Sequence, residues 1–149
     1  MPAPFQWGAL SGATTLLSSE LNSLANSSAG TLSATGAVVA ATGHLYGFVE
    51  FMAGASYTPT ANGFIELWLL QSIDGSNFED GSATVAPARV ADAIIPVRAG
   101  SSIAPRANAG LPPLVLPPGS YKPIARNQTG AALPSAGNLI RIAFADVQS

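Results

Sequence analysis

Gly63-Phe64-Ile65-Glu66-Leu67-Trp68-Leu69-Leu70-Gln71-Ser72-Ile73-Asp74-Gly75-Ser76-Asn77-Phe78-Glu79-Asp80-Gly81 decides the fold, because it joins a strong strand to a polar turn. Side chains alternate across a strand, so Phe64, Glu66, Trp68 and Leu70 share one face while Ile65, Leu67, Leu69 and Gln71 share the other. Both faces are largely apolar. A strand covered on both sides belongs inside a sandwich or at a subunit contact, and Glu66 then needs a partner or a wet edge.

Working outward, Leu45–Ala53 has the aromatic and β-branched content of a second strand. The connection Ala55–Gly63, with Pro59, Asn62 and Gly63, suits a hairpin or a crossing between sheets, and pairing of the two long strands as neighbours is expected. Ala93–Arg98, Tyr121–Asn127 and Leu139–Ala145 are three further strands. Pro96 and Pro123 remove ladder donors, which predicts edge positions or bulges for two of them. Thr31–Ala41 alternates loosely and predicts a strand after the turn at Asn26–Gly30. Residues Ala13–Ala25 carry Leu16, Leu17, Leu21 and Leu24 at helical spacings, yet their Thr, Ser and Asn content equally fits an irregular or strand-like arm. Between Ala99 and Pro118, five prolines among glycines and small residues predict a long, stiff loop, and Leu111, Leu114, Val115 and Leu116 mark it as a contact surface. Many short strands, Gly/Pro turns and little helix predict an all-β single-domain sandwich, jelly-roll-like, over residues 31–149, preceded by an N-terminal arm or short helix over residues 1–30.

Composition narrows the function classes. Charged residues are 9% of the 149, against about 25% in ordinary soluble proteins, while 48% are apolar and the net charge is −2. A surface so poor in charge predicts coverage by other copies or another protein. Six basic residues are scattered without a run, which argues against nucleic acid. No apolar run approaches the ~20 residues of a membrane span, so no membrane role is expected. With no cysteine, disulfides and thiolate metal sites are excluded. Met1–Trp7 lacks a basic region followed by an apolar core, which predicts synthesis in a cytoplasm without a Sec-type signal.

Reactive chemistry finds few candidates. His44 is the sole histidine and no G-x-S-x-G elbow accompanies it, so a strand-end structural role is expected. Asp74–Gly81 offers oxygen ligands for Ca²⁺ but lacks the EF-hand register; a turn shaped by Asp, Asn and Gly, with Phe78 folded back on the sandwich, is the plainer reading. Glu50, Glu66 and Asp80 could be considered as a glycosidase pair, without a cleft signal. Tyr46, Phe48, Trp68 and Tyr121 could form a sugar platform, or fill the core. No catalytic residue, metal or cofactor is expected.

Three stretches carry a resemblance. Gly63–Gly81, Leu116–Lys122 with Arg126–Gly130 and Ala136–Leu139, and Leu17–Asn26 together resemble small virion proteins of tailed bacteriophages. The resemblance implies a capsid decoration or cement protein, often a jelly roll, that clamps neighbouring major capsid protein subunits on the exterior of the phage head. A homo-oligomer, dimer or trimer, would gain avidity on such a lattice. The expected contacts are the N-terminal arm through Phe5, Trp7, Leu16, Leu17, Leu21 and Leu24, and the proline loop through Leu111, Leu114, Val115 and Leu116. A head-fibre or tail-associated module binding host glycan through exposed aromatics is the alternative.

Overall fold

A computed structural model describes residues 6–27, 31–41, 46–110 and 113–148. Eleven strands form among the described residues: β1 (Gln6–Trp7), β2 (Thr14–Leu17), β3 (Val39–Ala41), β4 (Tyr46–Met52), β5 (Phe64–Ser72), β6 (Ala93–Pro96), β7 (Arg106–Asn108), β8 (Leu114–Val115), β9 (Gly119–Gln128), β10 (Leu139–Ala145) and β11 (Val147–Gln148). One sheet has the order β2-β10-β4-β7, with β8 pairing β4 beyond β7; the other has the order β3-β9-β5-β6; β1 and β11 make a separate two-stranded ribbon. All the strand pairs are antiparallel. The described residues contain no α-helix, only a 3₁₀ turn at Ser19–Leu21.

The alternation read from the opening stretch sets the packing. Ile65, Leu67 and Leu69 of β5 point inward with Ile95, Tyr121 and Ala125, and meet Val49, Phe51, Ile140 and Ile142 of the other sheet in the main core. The opposite face of β5 is also covered: Trp68 and Leu70 form a second cluster with Leu32 and Ile124, against which Phe78, Ala86 and Ala91 pack. The connection from β5 to β6 therefore folds back over its own sheet. This explains why both faces of the strand are apolar.

Several sequence expectations are corrected. The two long strands β4 and β5 do not pair; they lie in different sheets, so 53–63 is a crossing between sheets. Gly54 makes that crossing possible, because a Cβ there would meet the Ala136 carbonyl oxygen at 2.1 Å. Residues 13–25 form β2 and the 3₁₀ turn rather than a helix. Their Leu16, Leu17, Leu21 and Leu24 sit in the main core, so the segment expected as an arm is part of the sandwich from Thr14 onward. Its polar residues compete with a helix, and an open edge of β10 offers ladder bonds instead. Within 31–41 only Val39–Ala41 is strand. Pro96 lies on the edge strand β6, as expected, but Pro123 lies in β9, flanked by β3 and β5. It is tolerated because its partner Leu69 turns both backbone groups the other way, the N–H to Asp92 at 2.7 Å and the carbonyl to Arg89 Nη2 at 3.1 Å, so β5 asks no donor of it. The stretch 99–118 is not a free loop: β7 and β8 are laid end to end along β4, and Ile103 bridges Tyr57.

Candidate functional site

Charge is the scarcest resource in this chain, and its placement organises both outer faces. On the outer face of the β5 sheet, Arg89 gives Nε to Glu79 at 2.6 Å, Nη1 to Asp92 at 2.6 Å and Nη2 to the Leu69 carbonyl at 3.1 Å. Asp92 in turn accepts from the Leu69 N–H. One guanidinium thus ties both ends of the folded-back connection to the edge of β5, and these partners raise its already high pKa. Trp68 is only 2% exposed; its indole N–H donates to the Arg89 carbonyl at 3.1 Å, and the Arg126 guanidinium lies 5.4 Å above its ring. Arg126 also pairs with Glu66 at 2.5 Å, the partner that a carboxylate on this strand required.

The outer face of the β4 sheet carries the other cluster. Arg141, Glu50 and Asn108 stand in one row across β10, β4 and β7. Glu50 accepts from Arg141 Nε at 2.6 Å and from Arg106 Nε. Burial alone would raise the Glu50 carboxyl, but the hydrogen bonds and charges of the two guanidiniums outweigh it and hold the pKa below its ordinary value. Beside this row a groove of about 490 Å³ is lined by Leu10, Ala13, Phe48 and Ala143.

The sequence candidates fall as follows. Asp74 accepts from the Ser76 and Asn77 backbone N–H groups, both at 2.8 Å, and from Ser72 Oγ and Asn77 Nδ2. These bonds, those from Asn77 and Ser76 foremost, hold its carboxyl well below the usual range. The loop is an Asx turn that consumes its own oxygens. Among the described residues no three His, Asp or Glu side chains gather as a metal site would require. Glu50 and Glu66 lie on opposite exteriors of the sandwich, each ion-paired with arginine, so they do not form an acid pair. Trp68 and Tyr121 are buried and offer no flat platform, whereas Tyr46 and Phe48 are half-buried on the β4 face. His44 lies outside the described residues.

Of the expected contact residues, Leu16, Leu17, Leu21, Leu24 and Leu116 are buried in this chain's own core and present no free surface. Leu114 is half-buried and Val115 is exposed. Phe5 and Leu111 lie outside the described residues, and the Trp7 backbone pairs with Val147 in the β1-β11 ribbon. Sequence reasoning missed Arg89, Asn127 and Asn138. Asn127 Nδ2 donates to the Leu24 and Ala131 carbonyls while Oδ1 accepts from the Thr129 N–H, and Asn138 reaches from the Gly54 N–H to the Pro134 carbonyl. Each also has a partner distant in sequence, Leu24 for Asn127 and Gly54 for Asn138, which no local pattern announces.

Comparison of the chain with protein-family models, curated proteins and solved structures returned no match. No helix among the described residues is long and apolar enough to cross a membrane.

Proposed function

We propose that this chain is a non-enzymatic virion structural protein, a capsid decoration or cement protein that clamps neighbouring subunits of the major capsid protein on the exterior of the phage head. The carrying observation is the mutual pairing of the few charges on its surface. Arg89, Arg106, Arg126 and Arg141, four of the six basic residues, are spent on Glu50, Glu66, Glu79 and Asp92. Meanwhile Ile73, Val90 and Val115 stand 95%, 86% and 64% exposed. Scattered exposed aliphatics are ordinary on a charged surface; on one so nearly non-ionic they favour coverage by a lattice of neighbours.

A jelly roll is the finer fold reading. Taking β2, β3, β4, β5, β6, β7, β9 and β10 as the first to eighth strands, the sheets run 1-8-3-6 and 2-7-4-5. That order is what a long antiparallel hairpin produces when it wraps into two Greek keys, an architecture common in capsid and lectin domains. It supports the virion reading and the lectin-like alternative equally. The buried Trp68 and Tyr121 weigh against glycan capture by the aromatics first considered.

Proteomics of purified virions from the genome carrying this coding sequence, with and without the gene, tests the proposal. The protein is expected in many copies per head, and heads lacking it are expected to lose DNA at lower temperature. Absence from virions, or heads equally heat-resistant without it, overturns it.

A further inference from the structure

The groove on the outer face of the β4 sheet has a charge balance unlike the rest of the molecule. Two guanidiniums, Arg106 and Arg141, face one carboxylate, Glu50, in a chain whose net charge is −2. Glu50 is the one carboxylate lining the groove among the described residues. Its lowered pKa keeps it ionised, so the local excess stays positive. Each guanidinium spends only its Nε on Glu50, and the Nη groups of both have no protein acceptor among the described residues. Glu50 therefore holds the two forks in place without satisfying them. Arg106 is 61% exposed, which leaves its fork open to an incoming group. The adjoining wall is apolar, with Leu10 exposed and Phe48 half-buried.

We propose that this face docks a protein segment that sets one carboxylate side chain on Arg106 and Arg141 and a neighbouring apolar side chain against Phe48 and Leu10. The occupant is an acidic-apolar segment of a partner protein. A fixed charge pair supplies orientation and an apolar wall supplies burial, with little reorganisation of the receiving side. The choice of a protein occupant rests on the decoration reading; the charge and shape of the face do not.

The test titrates the full-length protein, ¹⁵N-labelled, with the blocked peptide Val-Leu-Asp-Phe-Val and with its Asn counterpart. The Asp peptide is expected to shift amides in 46–50, 106–110 and 139–143 and to bind about tenfold more tightly than the Asn peptide. That difference is expected to shrink with salt and to vanish in Arg106→Gln, where Arg141 still holds Glu50 and the fold survives. Val90→Ser, in the connection between β5 and β6 over the other sheet, leaves binding unchanged. Equal binding of both peptides, shifts confined to other residues, or no shift at millimolar peptide overturns the proposal. So does concentration-dependent shifting of the same amides without peptide, which would make the occupant a second copy. Peptide docking as expected by a protein that phage heads do not carry supports the face and removes the decoration reading; decorated heads without peptide docking remove the face alone.

Discussion

Arg89 Nε lies 2.6 Å from Glu79 Oε1 and its Nη2 lies 2.9 Å from Oε2, so the pair is bidentate and closes the connection between β5 and β6 onto the sheet. Arg89→Ala is expected to cost about 1–3 kcal/mol, because it also frees Asp92 and the Leu69 carbonyl. Arg89→Lys recovers only part, since an ammonium cannot span three acceptors in a plane. Urea unfolding measures both, and rising Trp68 fluorescence exposure in the native baseline reports the lifted connection.

Asn127 is fully buried with its amide satisfied on both sides, and it binds the Leu24 carbonyl to the turn at 129–131. Asn127→Leu, similar in volume, leaves the buried Thr129 N–H without a partner and takes one of two donors from each of the Leu24 and Ala131 carbonyls, which keep the Leu133 N–H and the Thr129 hydroxyl. A loss of about 2–4 kcal/mol in thermal or chemical unfolding is the expected outcome. A loss below 0.5 kcal/mol would mean that these groups reach water, at odds with their burial.

Leu17 and Leu21 separate an arm from a core element. Both are essentially inaccessible in this chain, so Leu21→Ala should cost about 2–5 kcal/mol in the isolated protein, whereas Val115→Ser on the exposed β8 should stay within about 0.5 kcal/mol. Truncation before Leu24 is expected to unfold the sandwich rather than trim it, which circular dichroism would register directly.

The strands that carry alternating large side chains were readable from the sequence. Phe64–Ser72 and Leu139–Ala145 form over the residues expected, and Phe78 does fold back as its position after the Asp74 turn suggested. What misled was spacing that satisfies two periods. Leu16, Leu17, Leu21 and Leu24 fit a helix face, yet a two-residue apolar pair ending β2 and two more around a 3₁₀ turn bury the same leucines. Partnership was also illegible: β4 and β5 are adjacent in sequence and equally strand-like, and only the crossing at Gly54 sends them to different sheets. The β4 face stayed hidden because Glu50, Arg106 and Arg141 are brought together from three distant strands.

Acid should weaken the fold through Glu50. Its folded pKa lies below the ordinary 4.5, so the unfolded chain takes up the proton more readily. The stabilisation is fully present above about pH 5 and drains as the pH falls through the folded value. Asp74 acts in the same direction. Glu50→Gln is expected to lower stability at pH 7 and to flatten the loss between about pH 5 and pH 3 relative to the parent chain. Parallel curves for the two proteins would show that the Arg106-Glu50-Arg141 cluster adds nothing.

The central claim is attachment to the head exterior, and a cryo-EM reconstruction of the virion tests it most directly. The account predicts sandwich-shaped density repeated over the outer surface of the capsid lattice, with the β4 face against the major capsid protein, and its disappearance when the gene is deleted. Heads bare of such density, with the protein found only on the tail or only outside the particle, would contradict it.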